Sequence, residues 1–263
     1  MSATTSSDPL AQRFETLAGA NRRALVTYMT AGHPDPARSV ALMRALEAGG
    51  ADVIEVGVPF SDPMADGPVI QRSSQVALGH GVGLPQVLEM VREARLSVPV
   101  VLFSYLNPIL AAGPEVLARA AEAGVHGVLV TDLPVGADPA LEARIGDGPL
   151  AFVRLVAPTT PTERMREIAR HGRGFVYLIS RLGVTGMQRD VARDLPETVA
   201  RLRSATELPI CVGFGISTGE QARAIGRMAD GIVVGSAIVK AAESGVEAAH
   251  ALTVELRQAL DAA

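Results

Sequence analysis

Residues 52–68 read DVIEVGVPFSDPMADGP, and the first seven of them decide the fold. Val53, Ile54, Val56 and Val58 form a near-continuous apolar run, as expected of a parallel strand covered on both faces. Glu55 interrupts that run, and a turn rich in Pro and Gly, carrying Asp62 and Asp66, follows it. Side chains alternate along a strand, so Val53, Glu55 and Gly57 share one face while Ile54, Val56 and Val58 share the other. The wholly apolar face suits a layer of helices. Glu55 is therefore predicted to point the opposite way.

Seven more runs of the same kind flank this one, at 24–30, 98–104, 127–132, 150–156, 175–180, 208–213 and 230–235. Helical patterns separate them. Asp35 is placed to cap a helix that Pro36 opens and Gly49 stops. Gly124 and Gly172 end two further helices in the same manner. Eight strands and at least eight helices fit the α/β class, as a single (β/α)8 TIM barrel over residues 1–263. Residues 9–20 add an extra N-terminal helix and 246–262 a closing one. An open doubly wound sheet would call for a glycine-rich dinucleotide turn after its first strand, and MTAGHPDP (29–36) is not one. In a barrel the inward Glu55 stands near the carboxyl end of its strand, on the side where barrel active sites lie.

Composition removes several function classes. The net charge is -4 and no basic run is present, which argues against nucleic acid and anionic membrane as partners. Cys211 is the only cysteine, so an internal disulfide and a cysteine metal cluster are both excluded, and its apolar setting reads as core. The five histidines, at 33, 80, 126, 171 and 250, show no ligand spacing, and no metal is expected. No apolar run approaches the ~18 residues of a membrane helix. The polar start MSATTSSDPL lacks a signal core, so a cytoplasmic location is expected.

The acids suggest the chemistry. No Lys or Arg lies within ten residues of Glu55 on either side. A carboxylate among Val and Gly is poorly solvated, which raises its pKa and suits a group that both gives and takes a proton. An arginine brought from elsewhere in the fold would make Glu55 structural instead. Asp66 either caps its turn or joins Glu55 at the barrel mouth, where two differently placed carboxylates divide acid and base roles. Asp62 reads as turn chemistry. After strands seven and eight come VGFGIS (212–217) and VGSAIVK (234–240), the loops where barrels often hold phosphate. Gly213, Gly215, Gly235 and Ser236 are the natural amide donors there. SRLGVTG (180–186) reads as a lid whose Thr185 is able to reach Asp66 on closing. Tight turns without a ligand, and a plain surface loop, are the simpler readings of these stretches.

Together these residues resemble the tryptophan synthase alpha subunit family. IEVGVPFSDPMADGP (54–68) matches its signature stretch, and YMTAGHPD, YLNPIL, TDLPV, YLISRLGVTG, GFGIS and VGSAIVK follow in family order between residues 24 and 240. The resemblance implies a lyase of tryptophan biosynthesis that cleaves indole-3-glycerol phosphate to indole and glyceraldehyde 3-phosphate. It implies Glu55 as the general acid/base at the ring carbon and Asp66 on the indole N–H. Tyr177 would stand beside the acid and Thr185 would act in the lid. Gly186, Gly215, Gly235 and Ser236 would hold the phosphate. Tyr28, Phe103, Leu129, Leu155 and Phe214 would wall the indole, although each also fits plain packing inside a strand layer. The family commonly has Phe where Tyr28 stands, and an acid where His33 stands; His33 is read as a surface loop residue.

By the same resemblance this chain holds no cofactor. Its partner would be a beta subunit, carrying pyridoxal phosphate, in an α2β2 heterotetramer whose contact includes residues 59–66 and the lid. Two other readings stay open: another phosphosugar-handling barrel enzyme, and a weakly active barrel that mainly regulates a partner enzyme. A Schiff-base aldolase needs a lysine at a strand end. The single lysine, Lys240, is predicted to lie within a helix after strand eight.

Overall fold

The computed structural model describes residues 8–179, 188–213 and 215–263, with backbone only for 188–193. Eight parallel strands close into a barrel in chain order: β1 (Ala24–Thr30), β2 (Val53–Gly57), β3 (Val100–Ser104), β4 (Gly127–Val130), β5 (Ala151–Val156), β6 (Val176–Ile179), β7 (Ile210–Gly213) and β8 (Gly231–Val234), with β8 paired back to β1. Around and between them run α1 (Pro9–Gly19), α2 (Pro36–Ala48), α3 (Pro68–Gly79), α4 (Leu84–Ala94), α5 (Leu106–Ala111), α6 (Val116–Glu122), α7 (Pro139–Gly146), α8 (Thr162–Arg170), α9 (Gln188–Arg203), α10 (Gly219–Gly226), α11 (Ser236–Glu243) and α12 (Val246–Asp261). All eight sequence-predicted strands are present, β1 with the predicted bounds and the others slightly shorter. β3 and β7 begin just after Pro99 and Pro209, residues that have no N–H to give a ladder. Both prolines still accept, from Ile54 and Val176 on the neighbouring strands.

The sheet separates two cores. Outward residues such as Ile54, Val56, Leu102 and Ile232 pack on the helices. Inward residues Val26, Val53, Val101, Val153, Cys211 and Val233 fill the barrel. The amino end of the barrel is plugged by α1. Asp8 caps this helix by accepting the Leu10 N–H at 2.9 Å, and Pro9 opens it. Leu10, Phe14 and Leu17 then recur at helical spacing and enter the inner core, with Phe14 packed on Phe175 at 5.4 Å. Gly127 at the foot of β4 admits the plug: a Cβ there would lie 2.6 Å from Leu10 Cδ1. With α1 filling the amino end, the carboxyl ends of the strands are the side left for a site.

A buried charge ties the plug to the closing helix. Asp52, 1% exposed at the foot of β2, accepts from the Leu25 amide (2.9 Å), Arg257 Nη1 (2.8 Å) and Arg13 Nη2 (2.6 Å). Removing one partner of a buried pair strands the other without compensation. Asp52→Ala should therefore lower the unfolding free energy by about 3–5 kcal/mol, seen as a lower urea midpoint. A loss below about 1 kcal/mol would place this site among weak surface pairs.

Among the described residues no helix is long and apolar enough to cross a membrane, and no three His, Cys, Asp or Glu side chains converge to hold a metal. Lys240 is exposed on α11 and offers no amine at a strand end.

Candidate active site

Among the described residues three acids are buried: Asp52, Glu55 and Glu142. Asp52 is paired with Arg257, and Glu142 with Arg154 at 3.1 Å. Glu55 is 1% exposed, and its Oε1 has no hydrogen-bond partner. β2 carries it on the same face as Val53, which belongs to the inner core, so its carboxyl lies inside the barrel. Burial alone pushes its pKa up to about 8. Among the described residues no arginine pairs with Glu55 to make it structural.

Phenols stand around this acid. Tyr28 is the register partner of Glu55 across β1 and β2. Its ring meets Phe103 edge to face at 5.1 Å, and its hydroxyl lies over Gly57 so closely that a Cβ at Gly57 would overlap it. Gly213 gives the same room to the Tyr177 hydroxyl. These two inward glycines are where the site requires a missing side chain. Burial, and then Glu55, push the Tyr177 phenol well above its ordinary pKa; burial, and then Asp66, do so for Tyr28. Phe103 and Leu155 line the same inner layer, and Leu129 lies fully buried within it.

Asp66 approaches from the loop after β2. Its carboxylate Oδ2 accepts from the Tyr105 hydroxyl at 3.2 Å, and the same hydroxyl accepts from the Ala65 N–H at 2.9 Å. The Tyr105 ring stacks on Phe60 at 4.9 Å. Gln71 on α3 donates to the Asp66 carbonyl at 2.9 Å. The loop is thus pinned on both sides of the acid. Burial raises the Asp66 pKa to about 6, with the Tyr105 hydrogen bond opposing. Asp62, by contrast, accepts from Ser61 on the exposed turn.

Tyr105 was missed by the sequence reading, although YLNPIL places a tyrosine at a strand's carboxyl end. All three tyrosines of the chain, 28, 105 and 177, meet at this mouth. His33 is a correction. It is not a surface residue but 4% exposed, with Nε2 3.6 Å from Glu243 Oε1, and burial lowers its pKa. Chain beyond β1 folds under α11, which the local sequence does not reveal.

Gly235 directly precedes α11, and Ser236 is the first residue of that helix. The opening amides of a helix have no intrahelical acceptor, so this end is suited to an anion. Gly215, with φ +85°, follows β7 on the same rim. Thr185, Gly186 and Phe214, and the lid stretch 180–186, lie outside the described residues.

A buried acid whose pKa is raised, a second acid on the loop after β2, aromatic side chains beside them and a helix amino terminus after β8 suit a reaction on a flat aromatic ring with a phosphorylated side chain. The family model described as tryptophan synthase alpha chain matches residues 14–262. The tryptophan synthase alpha chain of Desulfatibacillum aliphaticivorans is 46% identical over 255 residues, 95% of this chain and 96% of that one. The tryptophan synthase of Saccharomyces cerevisiae is 47% identical over 240 residues, 89% of this chain but 34% of that longer protein. The crystal structure of tryptophan synthase subunit alpha from Legionella pneumophila superposes with a TM-score of 0.89 at 36% identity, covering 98% of this chain and all of that one.

Proposed function

This chain belongs to the tryptophan synthase alpha chain family, and from that premise we propose that it cleaves indole-3-glycerol phosphate to indole and glyceraldehyde 3-phosphate, with Glu55 moving the protons and Asp66 holding the ring nitrogen. The observation that carries these roles is the unpaired, buried Glu55 carboxyl among phenols.

The chemistry follows from the two pKa values. At neutral pH Glu55 is protonated and able to give its proton to C3 of the indole ring, which becomes tetrahedral. Positive charge then grows on the ring nitrogen. Asp66, ionised above about pH 6, lowers the energy of that cation through the N–H. Glu55, now a carboxylate in a site that disfavours its charge, takes the proton of the side-chain hydroxyl. The carbonyl of glyceraldehyde 3-phosphate forms as the carbon–carbon bond breaks, and its electron pair restores the aromatic ring. The proton count is balanced and Glu55 ends as it began. Tyr28, Phe103, Leu129, Leu155, Tyr177 and Phe214 are assigned to the ring. Gly186, Gly213, Gly215, Gly235 and Ser236 are assigned to the phosphate, and Thr185 to closure over both.

The product indole passes to a beta subunit carrying pyridoxal phosphate, in a cytoplasmic α2β2 assembly. Two large apolar side chains near the mouth support a docking face there: Met64, 89% exposed in the loop that carries Asp66, and Leu110 on α5. That the yeast relative spans almost three times the matched length also suits a working unit larger than this chain.

Purified chain given indole-3-glycerol phosphate should release indole slowly alone and at least about tenfold faster with a beta subunit, an effect of more than about 1.4 kcal/mol on the barrier. No indole under either condition would reduce the chain to a binding protein.

A further inference from the structure

We propose that the Tyr28 hydroxyl is a fixed hydrogen-bond acceptor in the ring pocket, and that it favours indoles whose ring bears a hydrogen-bond donor, amino or hydroxyl. The proposal rests on the ring-binding reading above and adds a specificity to it.

A chain of hydroxyl groups sets the direction. Ser73 on α3 donates to the Ile70 carbonyl at 2.8 Å. A hydroxyl has one proton, so Ser73 has none left for its 2.6 Å contact with Thr30, and Thr30 must donate there. Thr30 is then without a proton for its 3.2 Å contact with Tyr28, and Tyr28 must donate to it. Reversing the chain would take the Ser73 proton from Ile70 and leave the Tyr28 proton without an acceptor among the described residues, one hydrogen bond fewer. The phenol proton is thus committed toward α3.

What remains on the Tyr28 oxygen are lone pairs. The oxygen sits over Gly57, whose missing side chain leaves room on that side, and on the inner face that also carries Glu55. Asp66 is the strongest charged influence on this phenol. With Oδ2 of Asp66 already taken by Tyr105, and Glu55 reserved for the proton transfers, Asp66 Oδ1 and the Tyr28 oxygen remain as acceptors for the ring. One suits the indole N–H. The second has no use for an unsubstituted ring and suits a donor elsewhere on it. A ring carbonyl would meet lone pair against lone pair.

Calorimetric titration of the full chain tests this without turnover. Aminoindoles and the matching methylindoles are close in size and differ in hydrogen bonding. For at least one ring position the wild type should favour the amino over the methyl compound about tenfold more than Tyr28→Phe does, the span of one hydrogen bond. Thr30→Val keeps the phenol but frees its proton, so it should gain about tenfold for a formylindole, which bears an acceptor. A purely structural role for either residue would not reverse the preference. Equal amino-to-methyl ratios in wild type and Tyr28→Phe at every position, with indole still binding, overturn the proposal alone. Wild-type chain that binds no indole overturns the ring-pocket reading and this proposal with it.

Discussion

Glu55→Gln is expected to cut kcat for indole-3-glycerol phosphate cleavage by at least about a thousandfold, within the range that general acid–base groups supply. Gln keeps the shape and the burial but carries no transferable proton. Binding of indole-propanol phosphate, which has no bond to cleave, should survive. More than about a tenth of wild-type kcat, a barrier change under ~1.4 kcal/mol, would show that another group moves the protons. The same variant has a second signature. Glu55 has its pKa raised to about 8 in the fold against 4.5 in the open chain, so its folded form is favoured while neutral. That contribution is whole below about pH 4.5 and is lost as pH rises through 8, by on the order of several kcal/mol. Gln does not ionise. Glu55→Gln should therefore be more stable than wild type at pH 8 and nearly equal to it at pH 4, measured by urea unfolding.

Asp66→Asn should lower kcat by about a hundredfold or more, as removal of a charge that faces a developing cation does. The substitution separates charge from position. An Asn oxygen still accepts from Tyr105, and the Gln71 bond to the backbone is untouched, so the loop keeps its pins. The pH profile gives the finer reading. Wild-type kcat/KM needs Asp66 ionised and Glu55 protonated, which predicts a bell with limbs near pH 6 and pH 8. Asp66→Asn should erase the acid limb and leave the alkaline one. Unchanged rate with both limbs intact would leave Asp66 as a loop cap and move the nitrogen contact elsewhere.

Much of this was legible in the chain. Strand alternation is a local rule with period two, so the sequence alone put Glu55 and Gly57 on the inward face of β2 and Ile54 and Val56 outward. Strand and helix spacing were likewise local, and the barrel followed. Local turn chemistry also left Asp62 on the surface, where it is. The same rule was silent on Tyr105, because its link to Asp66 spans 39 residues and two loops. It misplaced His33, which is buried and lies 3.6 Å from Glu243 near the far end of the chain.

The sequence by itself determined a closed parallel barrel, the inward acid on its second strand and the family to which the chain belongs. Only the tertiary structure decided which buried acid stays unpaired. Asp52 and Glu55 lie three positions apart, one just before β2 and the other within it, yet Asp52 receives Arg257 from 205 residues away while no arginine among the described residues reaches Glu55. A carboxylate's pKa is set by what surrounds it in space, and in a barrel those surroundings come from strands and helices that the chain reaches only after long excursions.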